Sequence, residues 1–143
     1  MAKENKQRYE YVDVKYSTRT ILMGLWVVLI LLYIYCDHFS FFRTGEIERI
    51  ISGFIGPFKI TQISLVICSL ITIIPSLIIA ACLFVKAKII RWINIIAGIL
   101  FTLVNIVNIV GETWAYYLLY GIIETVITVL ITIISIKWIR RGI

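Results

Sequence analysis

Apolar residues fill four long stretches of this 143-residue chain, and charged residues are almost confined to the segments between them. The four stretches cover residues 20–36, 60–85, 92–111 and 115–136. Because a helix rises about 1.5 Å per residue, about 20 apolar residues cross a hydrocarbon layer about 30 Å thick. The pattern therefore predicts an all-α membrane protein, built as an antiparallel four-helix transmembrane bundle.

A shorter pattern lies between the first and second stretches, at residues 44–56. Its apolar residues recur at the three- and four-residue spacing of one helix face, and its charged residues fall on the opposite face. Thr44 is suited to cap such a helix, and Gly53, Gly56 and Pro57 are suited to end it. We predict a short amphipathic helix here, which either anchors in lipid headgroups or covers the mouth of the bundle as a lid.

The composition supports the same class of protein. Hydrophobic residues make up 61% of the chain and the mean hydropathy is +0.99, whereas a soluble domain is about half apolar. No remaining segment is long enough for a separate soluble domain, so residues 1–143 are expected to form one membrane domain. Residues 1–19 are predicted to be a cytoplasmic tail, because no small-residue cleavage site follows the first apolar stretch.

Basic residues are concentrated in three segments: the N-terminal tail, the connection between the second and third stretches, and the C-terminus. In the other two connections, acidic residues balance or outnumber the basic ones. Segments rich in Lys and Arg remain on the cytoplasmic side, so both termini are predicted to be cytoplasmic, in a bacterial cytoplasmic membrane. The net charge of +6 then fits anionic lipid and not nucleic acid, because the basic residues lie at membrane boundaries.

Small residues recur every four positions on two neighbouring stretches, a spacing that lets membrane helices approach closely. They are Thr72, Ser76 and Ala80 on the second stretch, and Asn94, Gly98 and Thr102 on the third. We predict that these two helices pack closely against each other.

Polar and ionisable residues also occur within the apolar stretches, and they fall in the outer half of the predicted bundle. A carboxylate at bilayer depth is unfavourable unless it faces protein or stays protonated. Glu124 is therefore predicted to point inward and to be largely protonated unless a cationic ligand or partner compensates its charge. The candidate ligand-binding residues are Glu124, Tyr120, Tyr116, Asn105, Asn108, Tyr33, Asp37, Glu112 and Gln62.

The hairpin between the third and fourth stretches sets the expected levels of these groups. A turn centred on Thr113 would place Asn105 level with Gly121, one turn from Glu124, and Asn108 between the two tyrosines. The groups would then line an outward-opening polar pocket, in the position where helix bundles commonly bind ligands.

Three functions stay open on this pattern. The first is a membrane protein that binds a small amphipathic or lipidic ligand around Glu124. The second is a structural or accessory subunit whose polar stripe contacts another membrane protein or a second copy of the chain, since such residues also join membrane helices. The third is a lipid-modifying membrane enzyme, although no catalytic set, metal-ligand spacing or cofactor motif is present in the sequence. We expect membrane lipids as partners, no cofactor and no nucleic acid.

Three short motifs occur along the chain: Tyr33, Tyr35 and Asp37; Pro75, Ser76 and Leu77; and Arg91, Trp92, Asn94, Ile95, Ile96 and Gly98. Through these motifs the chain resembles a bacterial family of small four-span membrane proteins, which is a domain of unknown function. Ile90 stands where the family pattern has asparagine. The resemblance implies a fold similar to the broader DoxX-like group, and it implies no activity.

Overall fold

The computed structural model describes residues 15–138, so the first 14 residues of the predicted tail and residues 139–143 lie outside the described part. In chain order its elements are α1 (Thr18–Ser40), α2 (Glu46–Ile51), β1 (Phe54–Ile55), β2 (Phe58–Lys59), α3 (Gln62–Phe84), α4 (Ala87–Ile109) and α5 (Ala115–Ile136).

Four of these helices, α1, α3, α4 and α5, are long and apolar enough to cross a membrane. This confirms the part of the prediction that concerns four long apolar helices. Local signals set two of their starts: the Ser17 side chain accepts the Thr20 N–H before α1, and Thr61 and Ser64 form a reciprocal capping box before α3. Each helix thereby satisfies some of the backbone donors that its first turn leaves unpaired.

The long helices pack unevenly. Helix α4 packs along α5, and α1 packs against both α3 and α5, whereas α3 and α4 touch little beyond their shared turn. The buried core is centred on Leu22, Trp26, Leu29, Cys82, Ile90, Phe101 and Ile131. Within it the Trp26 indole N–H donates to Asn94 Oδ1 at 2.7 Å, and Asn94 Nδ2 donates to the Ile90 carbonyl at 2.7 Å. The buried amide is therefore satisfied on both sides.

The prediction that small residues join the second and third apolar stretches is wrong. Gly98 of α4 faces α5, where a Cβ atom would meet Thr132 Oγ1 and the Thr128 carbonyl oxygen. On α3, by contrast, the Ser76 hydroxyl donates to the carbonyl of Thr72 in its own helix. The close approach is thus between α4 and α5, because the glycine lies on the α5 side of its helix.

The connection between α1 and α3 also differs from its prediction. Helix α2 has only six residues instead of spanning 44–56, and its N-cap is Gly45 at φ +82° in place of Thr44. A two-residue antiparallel hairpin follows, with Phe54 opposite Lys59. No side chain of α2, β1 or β2 is buried, and Ile51 is 81% exposed. The two alternatives for this segment, a headgroup anchor and a lid, stay predictions.

The two ends of the helices differ in charge. At the basic end, where α3 turns into α4, the described residues carry basic groups and no acidic ones. These groups are Lys15, Arg19, Lys86, Lys88, Arg91 and Lys137. The mixed-charge end, formed by the α1–α3 and α4–α5 connections, carries both signs.

Candidate functional site

A polar site lies inside the packed helices, with one residue from each of α1, α4 and α5. Tyr33, Asn105 and Glu124 are 8%, 1% and 6% exposed. The Tyr33 hydroxyl donates to Asn105 Oδ1 at 2.7 Å, and the Tyr33 ring stacks on Phe101 with centroids 6.5 Å apart. We call these three residues the polar site.

The pairing of α4 with α5 places Asn105 beside Glu124. Thr102 Oγ1 lies 2.9 Å from Thr128 Oγ1, and Gly121 faces the side chain of Ile109. Because the two helices are antiparallel, Asn105, three residues after Thr102, is level with Thr125, three residues before Thr128. Asn105 is therefore level with the residue that follows Glu124.

The expected level of these groups was wrong by about one helical turn. Gly121 faces Ile109 and not Asn105, so Asn108 falls near Ile122, beyond Tyr120 and no longer between the two tyrosines. The connection between α4 and α5 runs from residue 110 to residue 114, and within it Gly111 takes a left-handed conformation at φ +81°. The shift brings Asn105 closer to Glu124 than predicted.

Two atoms of the polar site are buried without a hydrogen-bond partner among the described residues. They are Asn105 Nδ2, a donor, and Glu124 Oε1. Leaving one such group unpaired costs about 1–3 kcal/mol. A third unpaired atom, Ser135 Oγ, lies near the basic end and is separate from this site. The polar site thus offers unused hydrogen-bonding capacity on two adjacent side chains.

A second carboxyl lies near the first. Asp37 is close enough to Glu124 for their negative charges to repel each other, and no residue of the described part forms a salt bridge with Glu124. Within residues 15–138, no three His, Cys, Asp or Glu side chains are grouped so that they could hold a metal ion. Local electrostatics at the polar site therefore favour a positive group.

At the mixed-charge end, Arg43 joins the end of α1 to the α4–α5 connection. Its Nε donates to the Tyr116 hydroxyl at 2.6 Å, and one terminal nitrogen contacts Glu112 Oε2 at 2.9 Å. The guanidinium also lies over the rings of Trp114, Tyr116 and Tyr117, 4.9–5.3 Å from their centroids. We call Arg43, Glu112, Trp114 and Tyr116 the Arg43 cluster.

The charges of this cluster reinforce each other. Burial alone would raise the pKa of Glu112, but the backbone N–H groups of Trp114 and Thr113 and the Arg43 guanidinium hold it below its ordinary value. Burial alone would lower the pKa of Arg43, but Tyr116 and Glu112 more than reverse that effect. Both groups are therefore charged at neutral pH.

A shallow hollow of about 250 Å³ lies on the Arg43 cluster, lined by Phe39, Phe42, Arg43, Trp114 and Tyr116. Tyr120 contacts Phe39 below it, with ring centroids 6.4 Å apart. Glu124 does not line this hollow. Tyr116 and Glu112 therefore belong to the cluster and not to the polar site.

The remaining candidates are at the surface of the described structure. Asn108 and Gln62 are exposed, and so is Asp37, although it lies near Glu124. Arg43 was not among the candidate residues predicted from the sequence, where it entered only the charge balance of its connection. The signal available was that Arg43 is the first Lys or Arg after the first apolar stretch, while Glu112 is the only charged residue in the α4–α5 connection.

The half of α3 nearest the mixed-charge end adds little to the core. Its buried residues are Pro75, Ile78 and Cys82, all in the other half. Arg19 of α1 donates to the Cys82 carbonyl of α3 at 3.0 Å. Because α1 and α3 are antiparallel, Tyr33, 14 residues after Arg19, is level with Cys68, 14 residues before Cys82. Cys68 is exposed. The polar site is thus flanked by a part of α3 that does not pack into the core.

Comparison with known proteins identifies a family but no function. No curated protein and no solved structure matches the chain significantly. A family model matches residues 9–143, nearly the whole length. The chain therefore belongs to a protein family of unknown function (DUF6326).

Proposed function

We propose that the chain is a multi-pass protein of the bacterial cytoplasmic membrane, an antiparallel bundle of DoxX-like general architecture with both termini in the cytoplasm. The support is the charge difference between the two ends, because Lys and Arg are retained on the cytoplasmic side. Cysteines introduced at Ser52 and Gly142, with Cys68 replaced by serine, test this orientation. An impermeant maleimide should label position 52 in intact cells and position 142 only after permeabilisation, and the reverse labelling contradicts the proposal.

The proposed function of this bundle is to bind a small amphipathic or lipidic ligand at the polar site. The observation that carries this proposal is the pair of unsatisfied buried atoms, Asn105 Nδ2 and Glu124 Oε1. Native structures pair nearly all such atoms, so each unpaired one requires an explanation, and a bound ligand would account for both. A ligand with a polar end would recover both contacts.

The site chemistry defines that polar end. Asn105 Nδ2 requires an acceptor, and Glu124 with Asp37 nearby attracts a positive charge or a strong donor. An ammonium with a neighbouring hydroxyl or carbonyl oxygen meets both requirements. Phe101 stacks on Tyr33 and belongs to the apolar core, so we expect the rest of the ligand to be a hydrocarbon or aromatic group.

The route to the site runs beside α3. The Arg43 cluster occupies the mixed-charge end, whereas the adjoining half of α3 leaves Cys68 and its neighbours exposed at the level of Tyr33. A ligand dissolved in the membrane would therefore approach sideways, between α3 and the other helices. This route fits a lipidic molecule better than a soluble one.

The accessory-subunit alternative depends on a polar stripe that faces another protein. On α5, Glu124 and Thr128 are buried within the chain, and Thr128 is paired with Thr102. An inward stripe supports ligand binding within the chain over contact with a partner.

Binding of decylammonium to the detergent-solubilised protein tests the function, with decanoate as an anion of equal chain length and protein-free micelles as the blank. Wild type should bind the cation at least tenfold more tightly than the anion. Glu124→Gln should lose that preference, whereas the control Glu48→Gln, which removes an exposed carboxylate from α2, should keep it. Equal cation binding by wild type and Glu124→Gln refutes the proposal.

A further inference from the structure

An open groove of about 540 Å³ lies at the basic end, along the first turns of α4. Its lining residues are Lys86, Lys88, Ile89, Trp92, Ile93 and Ile96. We propose that this groove binds one anionic phospholipid, with its phosphate at the two lysines and an acyl chain along the isoleucines. The groove is separate from the polar site, which lies toward the other end of α4.

The lysine end of the groove is suited to an anion. Lys86 and Lys88 are exposed, and neither forms a salt bridge within residues 15–138. Helix α4 starts between them with no acidic residue in its first turn and no side-chain cap, so its backbone N–H groups add positive potential. Every acidic residue of the described part lies nearer the other end of the helices.

The arginines of the same end are already engaged. Arg19 donates to the Cys82 carbonyl at 3.0 Å, near the end of α3. Arg91 donates to the Ser135 carbonyl at 2.9 Å and to the Ile136 carbonyl at 3.0 Å, at the end of α5. These contacts stabilise helix C-termini. Lys86 and Lys88 are therefore the charges available to a ligand at this groove.

The rest of the groove is suited to an acyl chain. Ile89, Ile93 and Ile96 follow one face of α4 over about 10 Å, and Ile96 is 63% exposed. Trp92 is half-exposed beside them, at the depth where aromatic residues lie at a membrane interface. A soluble phosphate would use the lysines but not this apolar surface. Together the two parts match the headgroup and chain of a phospholipid.

Native mass spectrometry of the full chain tests the site. The protein is mixed with equal amounts of phosphatidylglycerol and phosphatidylcholine of the same acyl composition. The test variant is Lys86→Gln with Lys88→Gln. The matched control is Lys15→Gln with Lys137→Gln, which removes the same charge from the same end but outside the groove.

Wild type should retain one phosphatidylglycerol in preference to phosphatidylcholine. The groove variant should bind phosphatidylglycerol about 30-fold more weakly, at about fivefold per lysine, and the control should match wild type. An equal loss in both variants, or no preference in wild type, overturns the proposal. Displacement of the lipid by millimolar glycerol phosphate also overturns it, because the lysines would then bind phosphate without using the groove.

Discussion

Replacing Gly98 by alanine should push α4 away from α5. A Cβ at this position would clash with Thr132 Oγ1 and would lie 3.3 Å from both the Thr128 carbonyl oxygen and the Thr132 backbone nitrogen. Thr132 is β-branched, and its hydroxyl donates to the Thr128 carbonyl at 2.9 Å, so rotating the side chain away breaks that bond. The Thr128 carbonyl oxygen and the Thr132 backbone nitrogen cannot move without moving α5 itself. The helices themselves must therefore separate.

The size of the effect follows from three opposing contributions. Alanine in place of a helical glycine gains about 1 kcal/mol of helix propensity. Overpacking costs about 1–3 kcal/mol, and a weakened Thr132 hydrogen bond costs about 1 kcal/mol more. Gly98→Ala should therefore destabilise the protein by about 1–3 kcal/mol. Gly24→Ala is the control, because its Cβ would have no atom within 4 Å and should stabilise by up to about 1 kcal/mol.

Unfolding in mixed micelles, followed by circular dichroism as the fraction of dodecyl sulfate rises, measures both variants. The free energy of unfolding should fall for Gly98→Ala and stay or rise for Gly24→Ala. Separation of α4 from α5 also moves Asn105 away from Glu124, so Gly98→Ala should bind decylammonium more weakly while Gly24→Ala binds it normally. If Gly98→Ala is as stable as Gly24→Ala, the close packing of α4 on α5 is refuted.

Three further predictions concern single side chains. Glu124→Gln should keep the free energy of unfolding within about 1 kcal/mol of wild type. Glu124→Leu should lower both the free energy of unfolding and the binding of decylammonium, because it leaves neighbouring polar groups unpaired. In the folded protein Cys68 should react with a lipid-soluble maleimide while the buried Cys36 and Cys82 do not, as measured by mass spectrometry. Rapid modification of all three cysteines contradicts the packing. Because the folded-state pKa of Glu112 is lowered, its contribution to stability is present at neutral pH and is lost as the pH falls through that pKa. The stability difference between wild type and Glu112→Gln should therefore shrink in acid. A difference that does not change with pH contradicts the assignment.

The sequence by itself determined the four long helices. An apolar stretch of about 20 residues can satisfy its backbone hydrogen bonds in hydrocarbon only as a helix, so length and composition are enough. It also indicated that Glu124 is buried inside the protein, because a carboxyl at that depth is disfavoured in lipid. Both conclusions depend on the environment of one segment at a time.

The tertiary structure decided which residues meet. The level of Asn105 against Glu124 depends on the backbone of a five-residue connection, in which Gly111 adopts a left-handed conformation. Helical periodicity gives the face on which Asn105 lies but not its height against a neighbouring helix, so the one-turn error could not be corrected from spacing. The same limit applies to Gly98, since small residues permit close approach without naming the partner.

The contacts of the Arg43 cluster likewise depend on the tertiary structure and not on the sequence pattern. Arg43 lies in one connection and Glu112 in another, 69 residues apart, and loop residues carry no periodicity that would place them. Their contact exists because α1 and α5 pack with antiparallel directions, which brings Ser40 within 3.0 Å of Tyr116. The sequence determines each helix through local hydrogen bonding and apolar length. Contacts between distant side chains, and with them the polar site, are decided only when the helices pack.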